Sequence, residues 1–269
     1  GGYSVFGKEV EQAGIERLQE NDEIATLQVD PFELGEPLDA ESSIGYNLGF
    51  VVKKGKLSTE LNFFRNDFKN LIDTRILASK TNGQNVFGYI NRDRVYTQGL
   101  EMDIRYKPWK NLNLSAGYQL LYAYDKDKRE AVKNGEVFAR DPKTLQTVRL
   151  STSDYFGLEN RSRHTLNAKI FYEVPEWDAN ANIRVTYRSQ FGLTDQNGND
   201  LLDVYDGTFT KGYALVNLTF GKTFFKHYQL QLGANNLLDF KGNNPLATQD
   251  NEVLLNPGIQ LFTKINIQF

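Results

Sequence analysis

The last twelve residues of the chain alternate between apolar and polar side chains and end on a phenylalanine. One set comprises Ile259, Leu261, Thr263, Ile265, Ile267 and Phe269, and the other comprises Gln260, Phe262, Lys264, Asn266 and Gln268. Successive side chains of a β-strand point to opposite faces, so the two sets would lie on opposite faces of one strand. Soluble antiparallel sheets can alternate in this way. A transmembrane barrel strand requires it, because one face meets lipid, the other meets the lumen, and an aromatic residue marks the interface.

The same period of two recurs in eight earlier segments. The nine predicted strands are residues 41–53, 56–76, 85–107, 111–125, 161–174, 178–191, 212–223, 227–237 and 258–269. Repetition on this scale is a strong β-strand signal. Short connections lie near residues 54–55, 108–110, 174–177 and 226, and long polar ones lie at about 77–84, 126–160, 192–211 and 238–257. Short periplasmic turns and long extracellular loops are typical of bacterial outer-membrane barrels. We therefore predict an all-β fold, a transmembrane antiparallel β-barrel.

The composition excludes several other classes of protein. No uncharged apolar run reaches the roughly 18 residues of a membrane-spanning helix. A net charge of −3 argues against a nucleic-acid partner. The chain has no cysteine, which excludes disulfides and thiolate metal sites. It also opens without the basic and apolar regions of a signal peptide, so for an exported barrel we expect a processed chain or a fragment.

The strand count predicts an incomplete barrel. Bacterial single-chain barrels have an even number of strands, whereas nine are predicted here. A sheet with two open edges in lipid would leave backbone groups unsatisfied, so we expect further strands outside this chain. Counting back from a last strand that descends to the periplasm makes residues 1–40 an extracellular loop segment, to which we assign no strand. Residues 41–269 would then form the C-terminal part of the barrel.

Three segments carry a family resemblance. The first pairs Phe64–Asp73 with Tyr89–Asn91 and Tyr96–Glu101, the second is Gly233–Asp239, and the third is Asn256–Gly258 followed by the phenylalanine-terminated strand. Their order and spacing resemble the C-terminal half of TonB-dependent outer-membrane receptors. Ile259 stands where that family usually has arginine. The resemblance implies about the last nine strands of a 22-stranded barrel, whose N-terminal plug and TonB-contacting segment are absent from this chain.

The resemblance also implies a function and partners. It predicts energised uptake of a scarce nutrient across the outer membrane of a Gram-negative bacterium, with an iron chelate (siderophore) or haem favoured and cobalamin or a glycan as alternatives. Loops 126–160 and 192–211 would bind this ligand, since loops on a rigid barrel carry recognition. The expected partners are outer-membrane lipid and lipopolysaccharide, the missing N-terminal barrel half and plug, TonB, and a surface lipoprotein as a further candidate.

Two other interpretations stay open from the residues alone. One is a passive porin or structural barrel built from a shorter chain. The other is a barrel that is a subunit or substrate of a larger outer-membrane complex. In the second case the strand ending at Phe269 resembles the membrane-assembly signal that the outer-membrane insertion machinery recognises.

One loop segment has the spacing of a calcium site. Oxygen ligands would come from Asp195, Asn197, Asn199, the carbonyl of Leu201, Asp203 and Asp206, as in an EF-hand loop. Asp200 stands where such a loop requires glycine, and Asp206 replaces the bidentate glutamate. The alternative is an acidic Asn-Gly turn that needs no metal.

The remaining candidates favour structural roles. His164 and His227 are the only histidines and lack the neighbours of a nucleophile and base, so we expect no enzyme; haem ligation by His164 is the alternative to a residue at the membrane interface.

The strand pattern predicts that one mixed set of charges faces the lumen: Glu101, Asp103, Arg105, Lys107, Lys169, Glu173, Arg184 and Arg188. Gly99 would permit close approach of a plug or a bend. Asn235, Asn236 and Asp239 would cap backbone groups at a strand end, and residues 126–130 would form a solvated face.

Overall fold

The computed structural model describes residues 12, 14–27, 37–82, 84–242 and 256–267. Phe269, with its predicted role as an assembly signal, lies outside the described residues, as does most of the predicted loop 238–257. Among the described residues, no helix combines the length and the apolar character needed to cross a membrane.

All nine predicted strands are present, together with short elements in the connections. In chain order the elements are α1 (14–20), β1 (Ile24–Leu27), β2 (Ser42–Lys54), β3 (Leu57–Lys80), β4 (Asn85–Trp109), β5 (Leu112–Asp125), α2 (Lys126–Asn134), β6 (Phe138–Arg140), β7 (Thr147–Arg149), β8 (Tyr155–Gly157), β9 (His164–Val174), β10 (Ala179–Arg188), β11 (Phe191–Gly192), β12 (Leu202–Asp203), β13 (Phe209–Thr210), β14 (Tyr213–Phe224), β15 (Tyr228–Asn235) and β16 (Gln260–Ile267). The predicted alternation of short and long connections holds from β4 to β15.

Ten of the described strands form one sheet. Its order is β1-β3-β4-β5-β9-β10-β14-β15-β16, and β2 also pairs with β3. One transverse row of directly opposed residues is entirely apolar: Leu114, Ile170, Ile183, Leu218, Ala234 and Leu261. The adjacent row, on the other face, is polar: Ser115, Lys169, Arg184 and Asn217. A sheet with one apolar and one polar face is what the predicted barrel fold class requires.

The predicted loop 77–84 is wrong in its bounds. β3 continues to Lys80 and β4 begins at Asn85, so the connection is a short turn. The reason is β1, a strand that we did not assign, which pairs with the end of β3 and places Leu27 opposite Ala78. Leu77 and Ala78 are buried against Ile15 of α1. β3 therefore continues through residues 77–80, which show no regular alternation, because Leu77 and Ala78 are buried and residues 78–80 pair with a segment distant in sequence.

The described residues belong to two compact units. The first comprises Gly1–Gly45, Asn66–Tyr96 and Asp125–Asp127, and its core is the cluster around Ile15. The second comprises Tyr46–Arg65, Thr97–Tyr124 and Lys128–Phe269. The candidate sites described next lie within the second unit, except for the contacts of Asn91, which lie within the first.

Candidate functional site

The two long loops that we predicted to bind the ligand are joined into one ordered body. We call residues 128–160 and 192–211 the loop lobe. β8 of the first loop pairs with β12 of the second, with Gly157 opposite Leu202. The Nζ atom of Lys128 lies 3.4 Å from Oδ2 of Asp200, and the Nδ2 atom of Asn199 donates to the carbonyl of Phe138 at 3.2 Å. Both loops therefore form one surface.

The loop lobe has a small core of its own. Tyr155, Leu202, Asp203 and Thr208 are almost completely buried, and the ring of Tyr155 lies 5.3 Å from that of Tyr124 at the end of β5. A Cβ atom on Gly157, whose φ is +120°, would lie 2.3 Å from the carbonyl oxygen of Ala123. Only glycine fits this contact without a backbone shift. The lobe is thus packed directly onto the end of β5.

Arg163 connects the loop lobe with the strands beneath it. Its Nη2 atom donates to the hydroxyl of Tyr124 at 3.2 Å and to the carbonyl of Phe156 at 3.1 Å. Its guanidinium also lies over the ring of Phe156, 4.7 Å from the ring centroid. Planar stacking combined with directed hydrogen bonds is a role that lysine cannot fill. No sequence pattern pointed to this residue, because arginine in a polar loop is ordinarily solvated.

The structure brings the predicted calcium residues together, and it gives their oxygens hydrogen-bonding partners. Oδ1 of Asp206 accepts hydrogen bonds from the backbone N–H groups of Gln196 and Asn197, and Oδ2 accepts one from that of Asp203. Both carboxylate oxygens of Asp195 also accept backbone N–H groups. These bonds favour the alternative of an acidic turn that folds around its own backbone.

Asp203 completes this network. Its Oδ1 accepts the backbone N–H of Tyr205 at 2.7 Å, and its Oδ2 accepts the side-chain amides of Asn197 at 2.9 Å and Asn199 at 2.7 Å. Within the residues that the structure describes, no group of three or more His, Cys, Asp or Glu side chains is arranged to hold a metal ion. Leu201, the predicted carbonyl ligand, is itself buried.

Burial changes the proton affinity of two of these carboxyls. It raises the pKa of Asp206 from 3.8 to about 6, against the opposing effect of the backbone hydrogen bonds. Burial also raises the pKa of Asp195, and the charge of Asp200 adds to that effect. Desolvation disfavours the charged form of a carboxyl, and neighbouring negative charges act in the same direction. We therefore expect the protonation of Asp206 to change in mildly acidic solution.

The two histidines lie apart, at opposite ends of the strands. Nδ1 of His164 lies 2.8 Å from the hydroxyl of Tyr118, and the two rings are stacked with centroids 6.1 Å apart. His164 is exposed at the start of β9, at the long-loop end. His227 is exposed in the turn after β14, where its backbone N–H donates to the carbonyl of Phe224. A contact with a tyrosine at the end of a strand is typical of an aromatic interface residue.

The charged residues that we predicted to face the lumen have different kinds of neighbours in the structure. Glu101 accepts hydrogen bonds from Gln119 at 2.9 Å and from Asn62 at 3.5 Å. Lys169 lies directly opposite Arg184 across β9 and β10. Asp103 is exposed, and Glu173 lies opposite Asn180. The polar face of the sheet is therefore not a uniform network of ion pairs.

The predicted glycine and turn residues have local structural roles. A Cβ on Gly99 would lie 1.8 Å from the carbonyl oxygen of Leu120, so the close approach is made by the backbone of β5. Asn236 is buried; its Nδ2 donates to the carbonyl of Phe240, and its Oδ1 accepts the N–H of Phe240. Asp239 accepts the N–H of Ile259 at 3.1 Å. The predicted capping of the strand end is confirmed for these two residues.

Another residue of the motif segments, Asn91, anchors the chain that leads into β2, within the first unit. Its Oδ1 accepts the N–H of Asp39 at 2.8 Å, and its Nδ2 donates to the carbonyls of Asp39 and Asn70. Asn70 has a φ of +55° within β3, a left-handed conformation that asparagine tolerates. This asparagine pair therefore fixes the approach to β2 by satisfying backbone groups.

A two-faced antiparallel sheet, short turns at one end and a packed loop lobe at the other define an outer-membrane barrel wall. The family model described as TonB dependent receptor-like, beta-barrel matches residues 19–237. The chain therefore belongs to the TonB-dependent receptor β-barrel family. Proteins of this family are Gram-negative outer-membrane proteins, so the chain is placed in that membrane.

Individual relatives agree with this assignment. The ferric enterobactin receptor PirA of Pseudomonas aeruginosa is 25% identical over 210 residues, which are 76% of this chain and 24% of that protein. This chain therefore spans about a quarter of that relative. A structure of a variant of the ferric enterobactin receptor PfeA of Pseudomonas aeruginosa has a TM-score of 0.59 at 20% identity, covering 88% of this chain and 32% of that one.

Two further structures have the same fold. The FrpB iron transporter of Neisseria meningitidis has a TM-score of 0.55 at 16% identity, covering 86% of this chain and 31% of that one. The copper transporter OprC has a TM-score of 0.57 at 14% identity, covering 87% and 32% respectively. At these identities the likeness concerns the fold alone.

Proposed function

We propose that this chain is the C-terminal part of the barrel of a receptor that takes up a scarce nutrient with energy delivered through TonB. The observation that carries the proposal is the loop lobe, in which β8 and β12 join two loops at the outer end of a family barrel wall. A preformed lobe loses little conformational entropy when it binds a bulky ligand. Uptake rather than catalysis is consistent with a family of receptors and transporters.

An iron chelate is the ligand class that the chain supports best, with haem next and cobalamin or a glycan as alternatives. Two relatives are named as ferric enterobactin receptors, and another is named as an iron transporter. In this chain the loop lobe exposes Phe138 and Leu145 together with the cations Arg140 and Lys143. Apolar and cationic groups on one surface suit an anionic, partly aromatic chelate.

The remaining barrel and the plug complete the proposed receptor. Residues 1–40 would belong to the extracellular side, which is supported by the pairing of β1 with the outer end of β3. Residues 41–269 would pair through the sheet edges with further strands, because open edges in lipid leave backbone groups unsatisfied. A plug inside the lumen, TonB, lipopolysaccharide and a surface lipoprotein are the proposed partners.

Growth on defined iron sources tests the ligand class. The full-length receptor would be produced as the sole iron receptor of a siderophore-deficient strain and supplied with single ferric chelates or haem. We expect growth under iron limitation on at least one ferric chelate or on haem. Growth that is restored by none of them, with the receptor correctly inserted, would contradict iron uptake and leave cobalamin or a glycan.

A further inference from the structure

A concave site lies on the polar face of the sheet, near the short-turn end. It has a volume of about 460 Å³, within the usual range of small-molecule sites. Five of its lining residues are cationic, namely Lys53, Lys56, Arg105, Lys107 and Lys169, and we call the site the basic cleft. They come from β2, the turn that follows it, β4 and β9. Residues distant in sequence thus place five positive charges around one cavity.

The other lining residues are neutral and include the apolar or aromatic Leu57, Tyr106, Leu114 and Phe171 as well as hydrogen-bonding groups. Ser58, Asn113 and Ser115 contribute side chains between the cations, and Ser115 lies directly opposite Lys169 across β5 and β9. Among the described residues that line the cleft, none is acidic. Hydroxyl, amide and ammonium groups around one cavity are the donors that bind carboxylate or phosphate oxygens.

Two of the five cations have contacts with neutral groups: the Lys56 ammonium donates to the carbonyl of Pro108, and the Lys169 ammonium lies 5.4 Å from the centroid of the Phe171 ring. Lys169 lies opposite Arg184, a like-charge pair that destabilises an antiparallel sheet when nothing lies between the charges. Asp103, the next acidic residue along β4 on this face, lies over Gly117, with Oδ1 3.1 Å from the position of a Cβ there. The described ion pairs do not involve the five cleft cations. An anion in the cleft would relieve this repulsion.

We propose that the basic cleft is an oxyanion site on the lumen side of the barrel wall, close to its periplasmic end. Its ligand carries two or more carboxylate or phosphate groups, because several cations from different strands surround one cavity. Two sources share this chemistry: a small free anion, and acidic side chains of a polypeptide segment inside the lumen. The site rests on the barrel wall and its polar face, and it does not depend on which nutrient is taken up.

Calorimetry with inorganic pyrophosphate tests the free-anion source on the purified full-length receptor in detergent, at low salt and without other phosphate. The variant Arg105→Gln/Lys107→Gln removes two cleft charges. The matched control Lys110→Gln/Lys226→Asn removes two charges from periplasmic turns outside the cleft; asparagine suits the φ of +62° at Lys226. We expect saturable binding that weakens at least tenfold in the cleft variant and less than twofold in the control.

Zero-length carbodiimide cross-linking tests the polypeptide source on the same receptor. If acidic side chains already occupy the cleft, pyrophosphate binds weakly or not at all, and mass spectrometry finds Lys53, Lys107 or Lys169 joined to an aspartate or glutamate. Either result supports the site. Absence of both, or equal pyrophosphate affinity in the cleft and control variants, would overturn it. Heat-modifiable migration checks folding, and Lys169→Gln replaces the double variant if that variant does not assemble.

Both experiments measure binding or contact rather than transport. Their results therefore test the oxyanion site independently of the proposed uptake function. A receptor that binds pyrophosphate through Lys107 but transports no nutrient would keep the site and lose the function. A receptor that transports with neither anion binding nor cross-links would keep the function and lose the site.

Discussion

The backbone N–H of Asp203 donates a 2.8 Å hydrogen bond to Oδ2 of Asp206, and both residues are buried in the loop lobe. Asp206 also accepts the N–H groups of Gln196 and Asn197 through its other oxygen. One carboxylate therefore satisfies three backbone donors from two separate stretches of the segment. We therefore expect Asp206 to hold the fold of residues 192–211.

Replacing Asp206 with alanine should loosen the second half of the loop lobe. The change leaves three backbone donors without their acceptor, and each buried unsatisfied group costs about 1–3 kcal/mol. We expect faster amide hydrogen exchange and faster proteolytic cleavage within residues 192–211, while the strands stay protected. Asp178→Asn, in the short turn between β9 and β10 with a φ of +46°, is the matched control and should change neither. Unchanged protection in the Asp206 variant would contradict the role.

Mildly acidic pH should tighten the same segment. Burial raises the folded-state pKa of Asp206 from 3.8 to about 6, so its contribution to stability is fully present below about 3.8 and is lost as the pH rises through 6. Asp195 acts in the same direction. Exchange of the Gln196 and Asn197 amides, corrected for intrinsic rates, should show more protection at pH 5 than at pH 7.5. The account is wrong if protection instead rises with pH.

Gly99→Ala should impair assembly of the barrel wall. The added Cβ would lie 1.8 Å from the backbone oxygen of Leu120, which cannot move without shifting β5. Overpacking of this kind typically costs about 1–3 kcal/mol. Gly49→Ala is the control, because its Cβ would make only ordinary contacts at 3.8 Å with Asn62. Heat-modifiable migration of the full-length receptor should fall for the first variant alone, and equal migration of both would count against the contact.

The calcium alternative has a direct test. Both carboxylate oxygens of Asp195, Asp203 and Asp206 already accept N–H groups, and a bound ion would compete with these bonds. We therefore expect calorimetric titration of the full-length receptor with calcium to give no heat beyond dilution. Saturable heat that is lost in Asp203→Asn would instead support a calcium site in this loop.

The membrane strands were predictable because the lipid and the lumen impose the same period of two over every span. This applies to β5, β9 and β10, whose registers place Leu114, Ile170 and Ile183 in one row. The loop lobe was not predictable in detail, because β8 and β12 are too short to show any periodicity. Their pairing depends on contacts between residues more than forty positions apart, such as Gly157 and Leu202.

Local chemistry was predictable where it involved neighbouring residues only. The capping role of Asn236 follows from a side chain that reaches its own turn, at Phe240. Pairing of β1 with β3, and the approach of Leu120 to Gly99, require knowledge of which strands are adjacent. The basic cleft is of this second kind, since its cations are scattered between positions 53 and 169.

Energised uptake is the central claim, and the most direct measurement compares cells that differ only in TonB. Cells producing the full-length receptor would be given the radiolabelled nutrient that supports their growth, and accumulation would be followed over time. We predict surface binding in both strains but accumulation only where TonB is present, with loss of accumulation on adding a protonophore. Equal accumulation without TonB and with the protonophore would contradict the account and favour a passive barrel.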